Sequence, residues 1–178
     1  MSTIQVLDKT FEPYLKEAAI QEKITELAGK LNQDYAGKRP LFLSVLNGSF
    51  LFTADLFKQI TIEAEVSFIK LASYKGTSST GNVITAIGLD INVKDRHIII
   101  LEDIIDTGKT LHHYLPQLEN MQPASVKIAV LLNKKDALLY PVKIDYACFD
   151  IPNKFVVGYG LDYDGLGRNS KDIYQLKA

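Results

Sequence analysis

At 178 residues the chain has room for one domain with a real core, and too little for two. Hydrophobic residues make up 47% and charged residues 23%, and the formal net charge of −1 gives no support to a nucleic-acid or membrane surface driven by bulk charge. Cys148 is the only cysteine, so no intramolecular disulfide is possible; with no secretory leader and no membrane-length apolar run in view, the expected setting is the cytoplasm.

Ile20, Ile24, Leu27, Ala28, Leu31 and Tyr35 recur at three- and four-residue spacing, which predicts an amphipathic helix ending near Gly37. Residues 41–46 read as a short buried strand bounded by Pro40 and Asn47-Gly48, and Ser49 is placed to cap a helix over 50–59. A second strand covers 66–71. Residues 73–82 are small, polar and glycine-containing with nothing to bury, and read as a loop. Strands follow at 83–89 and 98–101, then a helix at 110–118 and strands at 126–132 and 144–149. Such alternation predicts an α/β fold with a partly parallel sheet.

The densest chemical signal lies in 97–111. Ile98, Ile99, Ile100 and Leu101 form a run suited to burial on both faces of a parallel sheet, and two carboxylates, Glu102 and Asp103, follow at its end. Open α/β sheets bind ligands at that edge. Thr107, Gly108, Lys109 and Thr110 suit an anion, because a glycine turn opening a helix presents successive N–H groups to a phosphate. A nucleoside triphosphatase loop would need glycine five residues before Gly108, where this chain has Asp103. Carboxylates repel a bare phosphate but accept hydrogen bonds from vicinal hydroxyls and can hold Mg²⁺, so a sugar phosphate reconciles the two halves. Asp106, between them, is placed to accept a proton. The plainer reading makes Glu102 and Asp103 ordinary strand-end acids and Asp106 a helix cap.

Residues 99–110 resemble the phosphoribosyl pyrophosphate motif of the purine phosphoribosyltransferases, closest to the hypoxanthine-guanine branch. The resemblance extends over roughly 41–174. It implies a type I phosphoribosyltransferase fold: a single domain over 1–178, with a mostly parallel central sheet flanked by helices. A small hood would be formed by the N- and C-terminal segments. In it, Glu102, Asp103, Asp106, Thr107, Gly108, Lys109 and Thr110 would hold the ribose phosphate, with Asp106 catalytic.

Four other segments carry the rest of the resemblance. Asn47-Gly48 corresponds to the pyrophosphate loop, where the family usually has lysine in place of Asn47; Arg168 would contact the same anion through its forked guanidinium. Ser73 and Tyr74 correspond to a lid that excludes water. Lys134 would donate to a purine 6-oxo group, Phe155 would stack on the base, and Val156 would read its edge through the backbone. Asp162 would hold a second Mg²⁺ or touch the base, making Glu102, Asp103 and Asp162 the expected metal ligands. The implied activity converts hypoxanthine, and guanine with it, plus 5-phosphoribosyl 1-pyrophosphate to the nucleoside monophosphate and pyrophosphate, in a homodimer or homotetramer. Alternatives within the same fold are a nucleotide-sensing regulator, or a transferase preferring xanthine or another base. His97, His112 and His113 lack partners at metal-ligand spacing and read as structural or surface residues.

Overall fold

The aliphatic run at 98–101 lies in the middle of the molecule. In the computed structural model, which describes residues 2–73 and 84–177, it belongs to strand β6 (His97–Ile105). Its side chains divide by the two-residue period of a strand. Ile99 and Leu101 face a core built on helix α1 (Glu17–Asp34) and helix α2 (Phe50–Phe57), while Ile98 and Ile100 face another built on helix α3 (Lys109–Glu119). All four are fully buried. A sheet covered on both sides explains the unbroken aliphatic run.

Before β6 come β3 (Leu41–Leu46), β4 (Glu65–Ser73) and β5 (Ile84–Ile87); after it come β7 (Ser125–Asn133) and β8 (Tyr146–Asp150). The sheet order is β5-β4-β3-β6-β7-β8, parallel except for the antiparallel edge strand β5. From β3 the chain runs outward to β4 and β5, then returns to β6 on the other side of β3. The strand order therefore reverses between β3 and β6, and the crevice beyond their C-terminal ends is where such sheets bind ligands.

A second sheet pairs β1 (Ile4–Val6), β2 (Lys9–Leu15), β10 (Ile173–Leu176) and β9 (Val156–Val157) in the order β1-β2-β10-β9, all antiparallel. Val6, Phe11, Val157 and Tyr174 form its own small core. The sequence reading missed β1, β2 and β10. β1 has three residues and β2 contains Pro13, so neither shows the uninterrupted alternation that identifies a strand.

Three expectations need correction. Ser49 stands at the helix N-cap position but does not cap: its hydroxyl donates to the Val45 carbonyl at 2.5 Å and pairs with Ser44 Oγ at 2.7 Å. A buried hydroxyl with partners on the strand behind it has no need of the helix N–H groups. The helix itself stops at Phe57 instead of 59. Finally, β6 runs on through Glu102, Asp103, Ile104 and Ile105, so the paired acids lie inside the strand and not after it. Tyr74, the rest of the predicted loop to 82, and residue 83 of the predicted strand lie outside the described residues; Ser73 is the last residue of β4.

Candidate active site

β3 and β6 pair only as far as Ser44↔Leu101, while β6 continues beside β7 to Ile105↔Asn133. The part of β6 that outruns β3 carries Glu102 and Asp103. Alternation sends them to opposite faces, so each meets a different wall of the crevice. Glu102 lines a cavity of about 270 Å³ together with Val45, Leu71 and the turn from Asp106 to Leu111. Asp103 faces the loop after β3. A Cβ on Gly48 would overlap the Asp103 carboxylate, so only glycine allows this approach. The Leu46–Asn47 peptide in that loop is cis, and the Asn47 side chain is exposed.

The turn expected to cradle an anion is a glycine turn that opens a helix. Gly108 is left-handed (φ +78°) and precedes α3, whose first turn holds no acidic side chain. The first N–H groups of α3 therefore point into the crevice with the positive end of the helix dipole behind them. Behind the turn, Thr107's carbonyl accepts from the N–H groups of Leu139 and Tyr140 at 3.0 and 3.1 Å, and Gly108 packs on the Tyr140 carbonyl. This buttress was not legible in the sequence, since nothing in 138–142 marks it as a partner of 107–108.

Lys134 follows β7 directly, and its N–H donates to the Ile105 carbonyl at 3.0 Å, which draws the ends of β6 and β7 together. Its Nζ, nearly buried, reaches Asp106 Oδ2 at 3.0 Å and Asn153 Oδ1 at 3.4 Å. The structure thus pairs the predicted base reader with the predicted proton acceptor. Asn153, the third member, was missed; a lone asparagine beside a proline gives no sequence signal.

Phe155 is 43% exposed, with its ring in edge contact with Tyr163 (centroids 5.7 Å) and tilted over Phe11 (6.0 Å). These neighbours hold the ring while part of it stays open, which suits it to stacking on a flat partner. The Leu176 N–H donates to the Phe155 carbonyl, and in an antiparallel ladder bonded and unbonded pairs alternate. Val156, opposite Gln175, then falls in the unbonded pair. Its N–H and C=O turn away from β10 at the free edge of the sheet, available to another molecule.

Arg168 and Asp162 hold each other: Nη2 donates to Asp162 Oδ1 at 2.8 Å, Nη1 to the Gly160 carbonyl at 2.6 Å, and Asp162 Oδ2 accepts from the Gly165 N–H at 2.7 Å. The three acids expected to bind metal do not converge. Among the described residues no three carboxylate, histidine or cysteine groups gather at one point.

Electrostatics set the two central acids apart from the other carboxylates. Burial, with the neighbouring Asp103 charge, pushes the Glu102 carboxyl well above the usual range. Burial likewise raises Asp103 to about 6, against backbone N–H donors and the Arg168 guanidinium, which pull it down. Such acids favour the proton in the native state. Between the unfolded value near 3.8 and about 6 the native state binds more protons than the unfolded chain, so stability falls as pH rises through that window and stays lower above it. Asp103→Asn should therefore raise the melting temperature of the metal-free protein at pH 7 by about 3 °C or more, with the gain vanishing at pH 4. Thermal melts of both proteins across that range check it, and an equal shift at every pH would refute the ionisation account.

Residues 12–164 match the family described as phosphoribosyl transferase domain. The hypoxanthine-guanine phosphoribosyltransferase of Lactococcus lactis is 46% identical over 173 residues, spanning 96% of this chain and 94% of the relative. That of Streptococcus agalactiae is 44% identical over 156 residues, 87% of each chain. The crystal structure of a hypoxanthine phosphoribosyltransferase from Staphylococcus aureus superposes with a TM-score of 0.87 at 35% identity, covering 93% of this chain and 91% of that one.

Proposed function

Since the chain belongs to the phosphoribosyl transferase family, we propose that it serves purine salvage by transferring the phosphoribosyl group of 5-phosphoribosyl 1-pyrophosphate to N9 of hypoxanthine or guanine. The observation that carries the reading is the reversal point between β3 and β6. There the turn at 107–110, Glu102 and Asp106 line one cavity, and Asp106 holds the Lys134 ammonium beside it.

The 5-phosphate binds the N–H groups of 107–110, and Glu102 accepts from the ribose hydroxyls beside it. Pyrophosphate lies between the Asn47-Gly48 loop and Arg168. The base stacks on Phe155, donates to and accepts from the Val156 backbone, and takes the Lys134 ammonium on its 6-oxygen. Asp106 accepts or stabilises the N7 proton as N9 bonds to the anomeric carbon and the bond to pyrophosphate breaks. The transition state is oxocarbenium-like, and the Asp103 carboxylate, ionised above about pH 6, favours the positive sugar over its neutral ground state.

A buried and a half-buried carboxylate, Glu102 and Asp103, with the Arg168 guanidinium for counter-charge, form a donor set suited to a hard cation, and Mg²⁺ commonly takes one or two carboxylates plus substrate phosphates. Asp103 and Glu102 would hold it with the substrate, and bound Mg²⁺ would supply charge neutralisation for the leaving pyrophosphate. Asp162 would join only by releasing Arg168 or Gly165. Ser73 and Tyr74 as lid, a homodimer or homotetramer as the assembly and the cytoplasm as its place complete the proposal. They are supported by the resemblance and, for the compartment, by the lone cysteine. Among the described residues no helix is long and apolar enough to cross a membrane.

Incubating the folded protein with phosphoribosyl pyrophosphate, Mg²⁺ and hypoxanthine, guanine, xanthine and adenine in competition should yield inosine and guanosine monophosphates well ahead of the others. Equal use of adenine would refute the role given to Lys134, and no product with any base would refute the activity.

A further inference from the structure

Asp55 and Tyr159 lie outside every group assigned above, yet they join three parts of the fold. Asp55 is on α2. Its Oδ2 accepts from Gln21 Nε2 of α1 at 2.7 Å and from the Tyr159 hydroxyl at 2.6 Å, while Oδ1 meets Lys58 Nζ at 2.7 Å. Burial alone would raise this carboxyl, but the bonds from Lys58, Tyr159 and Gln21 hold it below the usual range. Tyr159 is 3% exposed, and burial together with the Asp55 bond drives its phenol far up, so the hydroxyl remains a donor.

Gly158, Tyr159 and Gly160 take positive φ in succession, 99°, 51° and 97°. Glycine adopts that region freely and tyrosine does not, so contacts must hold Tyr159 there. Its N–H donates to the Ser170 carbonyl at 2.8 Å and its hydroxyl is anchored on Asp55. The consequence appears one residue on. A Cβ on Gly160 would overlap the Gly48 carbonyl, so the two backbones touch, and the Gly160 carbonyl accepts the Arg168 guanidinium. Both groups assigned to pyrophosphate are seated on Gly160.

We propose that the Asp55–Tyr159 hydrogen bond is a positioning element of the pyrophosphate subsite, setting Gly160 and, through it, the Asn47-Gly48 loop and Arg168. This rests on the pyrophosphate roles proposed for Gly48 and Arg168. It predicts a selective effect. Tyr159→Phe and Asp55→Ala each raise KM for phosphoribosyl pyrophosphate about tenfold, the scale of a hydrogen bond to a charged group, and leave KM for hypoxanthine within about twofold. The double variant is no worse than either single one, because both remove the same link. Lys58→Met, which removes the ion pair to the other Asp55 oxygen and leaves the Tyr159 hydroxyl its partner, keeps both KM values in place.

A Tyr159→Phe enzyme with unchanged KM for phosphoribosyl pyrophosphate would overturn the proposal, as would a parallel rise in both KM values or a multiplicative double variant. Should Asp55→Ala fail to fold, Tyr159→Phe removes a single oxygen and decides alone. Arg168→Met separates the two levels. If it leaves that KM unchanged, the subsite assignment itself fails; if it raises KM and Tyr159→Phe does not, only the positioning link fails.

Discussion

Asp106→Asn should lower kcat by about 10²-fold or more while both KM values stay within about threefold, the signature of a group that acts on a proton in the transition state. The structure makes this a clean substitution. Lys134 Nζ lies 3.0 Å from one Asp106 oxygen, and the asparagine carbonyl can accept the same bond. The Asp106 side chain is 51% exposed, so replacing its charge with an amide strands nothing in the interior. Steady-state kinetics with hypoxanthine check it. Losses in KM as large as those in kcat would instead make Asp106 a binding group, and its proposed proton role would be abandoned.

Lys134→Met should act on specificity. The Lys134 side chain is 7% exposed, so its bond to a 6-oxo group would form largely out of water; ionic hydrogen bonds of that kind contribute roughly 1.5–3 kcal/mol. A fall of about 10²-fold in kcat/KM for hypoxanthine is expected, and the advantage over adenine should shrink with it, because a 6-amino group never profited from that donor. Stability should change little: Asp106 keeps access to water, and Met fills the aliphatic part of the lysine stem. Comparing kcat/KM for the two bases in parent and variant decides the matter. A proportional loss for both would make Lys134 a support of Asp106 and not a reader of the base.

The two substitutions also probe one contact from its two ends. Without a base, the Lys134 ammonium rests on Asp106 and Asn153. A purine carries its 6-oxygen and N7 on one edge, so the adjacent Lys134 and Asp106 would meet both at once, and base binding and proton transfer draw on the same pair. Their kinetic effects are therefore expected to be non-additive.

The parts legible in the sequence were those whose physics is local. Four aliphatic residues in a row imply burial on both faces of a sheet wherever that sheet lies, and Thr107-Gly108-Lys109-Thr110 forms a glycine turn at a helix start from its own backbone. The α1 stripe from Ile20 to Leu31 is buried as its spacing required. Phe155, Lys134 and Arg168 could be named by resemblance, because motifs preserve residue order. Contacts between distant segments left no such trace. The separation of Glu102 and Asp103 onto opposite faces depended on β6 running past the end of β3, a matter of strand pairing. Ser49 turned from cap to buried hydroxyl because Ser44 stood behind it. The second sheet required residues 4–15 to meet 156–157 and 173–176. The closure of Gly48 on both Asp103 and Gly160, and the Asp55–Tyr159 link behind it, join residues far apart in the chain. Backbone propensity and motif spacing act over a few residues and are written in order along the chain. Register, facing and close approach arise only when the core brings remote segments together, and tertiary structure alone decided them.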